Sequence, residues 1–204
     1  MSMFFLAFVI SLLVAISFAS PVGRKTSVCP WNGVSTVQNF TLLAVVKDYP
    51  NIQKSLVLGS HDSSTPGCVT WLEARESVDS INAKFFTLVN GGITAYAPDG
   101  SLIGVSLPVP NMNGKLSFLY PKSGENASPA EVYCELFNTS PHGVPFPYAL
   151  AVNDGDSDHF SLCKSNSAEA SVVLYNIVKA SAADIRSKWG TCADVYIHVL
   201  PIVQ

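Results

Sequence analysis

Phe85-Phe-Thr-Leu-Val-Asn-Gly-Gly-Ile-Thr-Ala-Tyr96 decides the fold class. Strand-forming residues lead into Asn90-Gly91-Gly92 and resume beyond it. Asn and Gly accept the positive φ angles that a tight hairpin turn requires. The stretch therefore predicts two antiparallel strands. A second turn at Pro98-Asp99-Gly100, followed by Leu102, Ile103 and Val105, extends the hairpin into a three-stranded meander.

Outward from this meander the same grammar repeats. Short runs rich in Val, Leu, Phe, Tyr and Thr alternate with Gly, Pro, Asn and Asp, and no long segment places apolar residues at i, i+3, i+4 and i+7. Strands are predicted over 40–46, 56–58, 70–73, 85–89, 93–97, 102–105, 116–120, 132–137, 149–152, 160–163, 172–178 and 195–199. The stretch 182–188 reads equally as a short helix or a loop. The fold class is all-β, a single antiparallel sandwich or barrel, with a β-trefoil-like arrangement as the alternative. Phe40-Thr-Leu42, Phe86-Thr-Leu88 and Phe160-Ser-Leu162, with Phe118 between the last two, hint at repeated β units.

Residues 1–19 read as a signal peptide: an apolar run closes on the small residues Ser17 and Ala19. That run is short of the roughly 20 residues a bilayer span needs. No lipid-anchor signal or retention tetrapeptide is expected at the other end. Residues 20–38 read as an N-terminal extension and 39–204 as one β-rich domain. Only 13% of the chain is charged and the net charge is −3, with both signs scattered, so nothing attracts nucleic acid. The five cysteines predict two disulfides and one leftover thiol in an oxidising compartment, with Cys163–Cys192 the favoured pair. Asn39, Asn126 and Asn138 each open an N-glycosylation sequon, Asn126 in the most loop-like context.

Phe40–Val45, Leu88-Val-Asn-Gly-Gly-Ile-Thr-Ala95, Tyr148-Ala-Leu-Ala-Val-Asn153, Asp158-His-Phe-Ser-Leu-Cys163, Val173-Leu-Tyr-Asn176 and the closing Cys192 strand together resemble uncharacterised secreted β-rich proteins of fungi. The resemblance touches most of the chain beyond the leader and implies fungal origin. No activity, cofactor or site residue comes with it.

The chemistry-bearing residues form few recognised patterns. Asp154, Asp156 and Asp158 alternate like the first half of a calcium loop, but His159 and Ser165 stand where the sixth-position Gly and twelfth-position carboxylate belong. A weak cation site or a solvated acidic turn remains. His61, His142, His159 and His198 show no zinc spacing; His198, between Ile197 and Val199, is expected to face solvent. No serine-nucleophile elbow occurs, and no cofactor is implied. Glu73, Glu76, Glu131 and Glu135 are the carboxylates available for glycoside hydrolysis, and each is expected to be solvated.

Trp31 and Trp189 lie beside Gly and Cys in predicted loops, where flat rings can meet sugars. The expected function is therefore a non-enzymatic extracellular or cell-wall protein that contacts polysaccharide, or an extracellular protein, through loop aromatics. The alternatives are a β-scaffold protease inhibitor using the loop 141–147, or an unrecognised secreted hydrolase.

Overall fold

The computed structural model describes residues 29–30, 33–59, 67–74, 85–109, 111–122, 126–137, 146–165, 170–177 and 189–202. Fourteen strands form among them: β1 (Gly33–Val34), β2 (Val37–Val46), β3 (Gln53–Leu58), β4 (Val69–Ala74), β5 (Phe85–Val89), β6 (Gly92–Tyr96), β7 (Leu102–Ser106), β8 (Gly114–Lys115), β9 (Ser117–Leu119), β10 (Tyr133–Phe137), β11 (Tyr148–Val152), β12 (Phe160–Ser165), β13 (Ser171–Tyr175) and β14 (Trp189–Pro201). No helix occurs among the described residues. The predicted segment 182–188 lies outside them.

The strand pairings close on themselves. A circuit runs β2, β5, β6, β7, β9, β4, β13, β12, β14 and back to β2, which makes the fold an antiparallel barrel. β3 pairs with both β2 and β4, while β11 joins β14 through Ala149 opposite His198 and carries β10 and β1 beyond it. Closure removes most of the exposed edges that an open sheet must protect.

Each of the twelve predicted strands overlaps an observed one. The sequence reading missed the two-residue β1 and β8, and it began β14 six residues late. The hairpin that set the fold class forms as a two-residue turn: Asn90 and Gly91 adopt φ of 51° and 84°, and Val89 pairs with Gly92. Gly92 serves a different need, since a Cβ there would lie 2.6 Å from Pro129 Cγ.

Phe40, Phe86, Phe118 and Phe160 are all buried in one core. Phe86 bridges the group, its ring centroid 6.0 Å from Phe40 and 6.3 Å from Phe118. Full burial of such a ring stabilises by about 1.5–3 kcal/mol. A smaller cluster of Cys163, Val172 and Leu174 packs on the outer face with Trp71 and Ile177. β13 is thereby buried on both sides, which is why Val172-Val-Leu-Tyr175 reads as an unbroken apolar run rather than an alternation.

Two disulfides tie the barrel: Cys163–Cys192, adjacent across the β12–β14 ladder, and Cys29–Cys134. Cys68 is the free thiol. Cys29 and β1 draw the segment ahead of residue 39 into the sheet.

Three polar side chains depart from expectation. His198 was expected in solvent but is fully buried. Its alternation was read correctly, since Ile197 and Val199 enter the core and His198 points outward. The outer face, however, is covered there by Phe146, whose ring centroid lies 5.2 Å away, and by the neighbouring β11 backbone.

Glu73 and Glu135, expected to be solvated, are only 8% and 7% exposed. Glu73 accepts a 2.7 Å hydrogen bond from Trp71 Nε1, and Lys115 Nζ sits 3.4 Å over the Trp71 ring. Gly59 leaves the room: a Cβ there would stand 2.5 Å from Glu73 Oε1. Glu131 is exposed, and Glu76 lies outside the described residues.

Candidate functional site

The turn between β11 and β12 carries a connected polar network. Asn153, Asp154 and Gly155 take φ of 42°, 67° and 99°, a run that Asn, Asp and Gly accept more readily than other residues. The Asp156 amide donates back to Val152 O at 2.8 Å, which turns the Asp156 carboxylate toward β13. Tyr175 closes β13 in the layer next to β12, and its hydroxyl donates to Asp156 Oδ2 at 2.6 Å.

The same oxygen lies 2.7 Å from His159 Nδ1, and Asp156 Oδ1 accepts from the Asp158 amide at 2.9 Å. A carboxylate cannot donate, so His159 carries its proton on Nδ1 and, when neutral, presents the Nε2 lone pair outward. The His159 side chain is 61% exposed. Burial alone would raise the Asp156 carboxyl. The hydrogen bonds from Tyr175, Asp158 and His159, with the His159 charge, outweigh it and hold the group below its usual range. The Tyr175 hydroxyl is pushed up to about 12, first by burial and then by the adjacent carboxylate.

A second turn, between β2 and β3, is tied to the first. Lys47 Nζ donates to the Asp158 carbonyl oxygen and stands 3.7 Å from Asp158 Oδ1. The same ammonium lies 4.4 Å over the Tyr196 ring, within the range of a cation–π contact. Burial raises the Tyr196 hydroxyl, and the charge of Asp158 and a hydrogen bond to it add to that rise. The Lys47 amide donates to Asp194 O, and Ile52 closes the turn onto Tyr49 O at 2.8 Å. Tyr49, two residues from Lys47, is 62% exposed.

The structure distributes the sequence candidates unevenly. Asp154 and Asp158 are exposed, Asp156 is engaged as described, and no three His, Cys, Asp or Glu side chains are gathered to hold a metal among the described residues. Trp31 lies outside the described residues. Trp189 opens β14 rather than a loop.

Asn126 is exposed, and Asn39 sits half-buried at the β2 irregularity with φ 37°. Asn138, His61 and His142 fall outside the described residues, as does the loop 141–147 except Phe146 and Pro147. Sequence reasoning missed Lys47, Tyr49 and the meeting of His159 and Tyr175 on the Asp156 carboxylate. Tyr49-Pro-Asn51 directly after an apolar strand was the available turn signal.

Fold and site define a disulfide-tied, closed antiparallel β-barrel with a polar turn cluster at its surface. No family model, curated protein or solved structure matches this chain.

Proposed function

We propose that this protein is a secreted, non-enzymatic extracellular or cell-wall protein that binds carbohydrate at the paired turns carrying Tyr49, Lys47, Asp158 and His159. One observation carries the reading: a single carboxylate, Asp156, fixes Tyr175 below it and the exposed His159 ring above it. A polyol ligand gains most from donors and acceptors whose orientation is set before binding, because less side-chain freedom is lost on association. Tyr49 adds an exposed ring for a sugar face. The two disulfides fit an oxidising compartment, and with the leader-like residues 1–19 they support export. Exposed Asn126 is the first candidate for a glycan.

The test is depletion of the deglycosylated protein from solution by chitin, β-glucan and cellulose. The reading expects saturable retention on at least one polymer, weakened tenfold or more in Tyr49→Ala and His159→Ala. No retention on any polymer, or retention that neither change affects, overturns it.

A further inference from the structure

The β10–β11 ladder carries a second feature, away from the turn cluster. Tyr133 pairs with Val152, Glu135 with Leu150 and Phe137 with Tyr148, and β1 sets Val34 beside Glu135. Side chains directly opposite one another share a face, and so do alternate residues along a strand. Tyr133, Leu150 and Val152 belong to the main core, so Glu135, Phe137, Tyr148 and Val34 lie on that same face. Exposure climbs along β10 from 1% at Tyr133 through 7% at Glu135 to 58% at Phe137. Glu135 therefore stands at the rim where the core face opens to solvent.

Two polar groups on this face have no partner among the described residues. The Tyr133 hydroxyl is buried with no hydrogen-bond partner. Glu135 as a residue is only 7% exposed, and no hydrogen bond or ion pair joins its carboxyl to another described residue. Buried carboxylates in folded proteins are ordinarily paired, because an uncompensated charge is expensive. The surroundings here are apolar and aromatic. Phe137 and Tyr148 meet edge to face with centroids 6.2 Å apart, and Val34 is half exposed.

We infer that the Val34–Glu135–Phe137–Tyr148 face is a binding site for an organic cation, an alkylguanidinium or alkylammonium group whose charge pairs with Glu135 and whose hydrocarbon stem lies on Phe137 and Val34. The argument is charge complementarity. An unpaired carboxylate calls for a positive donor, aromatic rings favour a cation over a neutral group, and the apolar walls accept a short methylene stem. An arginine side chain of another protein and a free amine share this chemistry. The site is independent of the carbohydrate reading, since it uses none of the residues in the paired turns.

Titration of the full chain with agmatine, with acetyl-Gly-Arg-Gly-amide and with neutral n-butanol tests the inference, read by NMR at the Phe137 and Tyr148 rings. At least one cation is expected to give saturable shifts while n-butanol gives none. Saturation by the peptide alone assigns the site to protein side chains, and saturation by agmatine assigns it to free cations as well. Glu135→Gln, with its fold checked by its amide spectrum, is expected to weaken binding at least tenfold. If that variant does not fold, Phe137→Ala, at an exposed position, is expected to weaken binding at least threefold. The absence of saturable shifts with both cations, binding that Glu135→Gln leaves unchanged, or, where that variant does not fold, binding that Phe137→Ala leaves unchanged, overturns the inference.

Discussion

His198 Nδ1 lies 3.1 Å from the carbonyl oxygen of Tyr148, across the single residue pair that joins β11 to β14. A carbonyl only accepts, so the proton sits on Nδ1 and the Nε2 lone pair is left buried without a partner. Burial lowers the His198 pKa, opposed by the Tyr148 hydrogen bond. A depressed histidine binds its proton less readily folded than unfolded. Stability therefore holds above the unfolded value of about 6.5 and falls as pH drops from there toward the folded value. Urea unfolding at pH 7, 6 and 5 is expected to show this loss in the wild type. In His198→Leu it should be reduced, with a cost of about 1–3 kcal/mol at pH 7 for the orphaned Tyr148 carbonyl. Equal pH slopes in both proteins would refute the assignment.

Glu135 titrates in the opposite sense. Burial raises its carboxyl, so the folded chain holds that proton more tightly than the unfolded chain does. The stability linked to this group is complete below the unfolded value and is lost as pH rises through the folded one. Glu135→Gln removes the charged form and should raise the melting temperature at pH 7 by a few degrees, at about 2–4 °C per kcal/mol for a chain of this size. The gain should vanish by pH 4. A variant destabilised at pH 7 would mean that the carboxylate has a structural partner. A stabilised variant that no longer binds cations would instead mark a position kept at the expense of stability.

These two residues also show what the sequence could and could not convey. Asn90-Gly91, Asp99-Gly100 and the Phe-led runs report local backbone and inward alternation, so strand positions and the main core were legible. His198 and Glu135 were misjudged because alternation identifies the two faces of a strand but not what lies over the outer one. Only the fold brings Phe146 onto His198 and Val34 beside Glu135. The Asp156 network was half legible. The acidic alternation marked the turn, but Tyr175 comes from a strand 19 residues on, and no spacing rule predicts that meeting.

The two disulfides should differ in their effect. Cys29–Cys134 closes a separation of 105 residues and Cys163–Cys192 one of 29. In the chain-entropy model these correspond to about 5 and about 3–4 kcal/mol. Paired Cys→Ala variants in guanidinium unfolding are expected to show the larger loss for Cys29/Cys134. Cys134 and Cys163 are both fully buried, so removing either disulfide adds a packing cost to the entropic loss. A Cys163/Cys192 loss exceeding the other by more than about 1 kcal/mol would mean that packing outweighs chain entropy at this site.

Asp156 links the surface network to the barrel, and its neutral isostere separates the two roles. Asp156→Asn keeps an oxygen able to accept from Tyr175 but removes the charge that helps hold the Tyr175 hydroxyl up at about 12. The Tyr175 ionisation should therefore fall in a spectrophotometric titration. It should stay above the usual tyrosine value, because burial is the larger cause of the rise. The carboxylate is partly exposed, so the stability loss should be modest, about 1 kcal/mol. Polysaccharide retention should drop further than that loss explains, because the His159 ring no longer has its Nδ1 proton fixed by a charged acceptor. Unchanged retention alongside the shifted tyrosine titration would leave the network as a fold element and remove His159 from the binding surface.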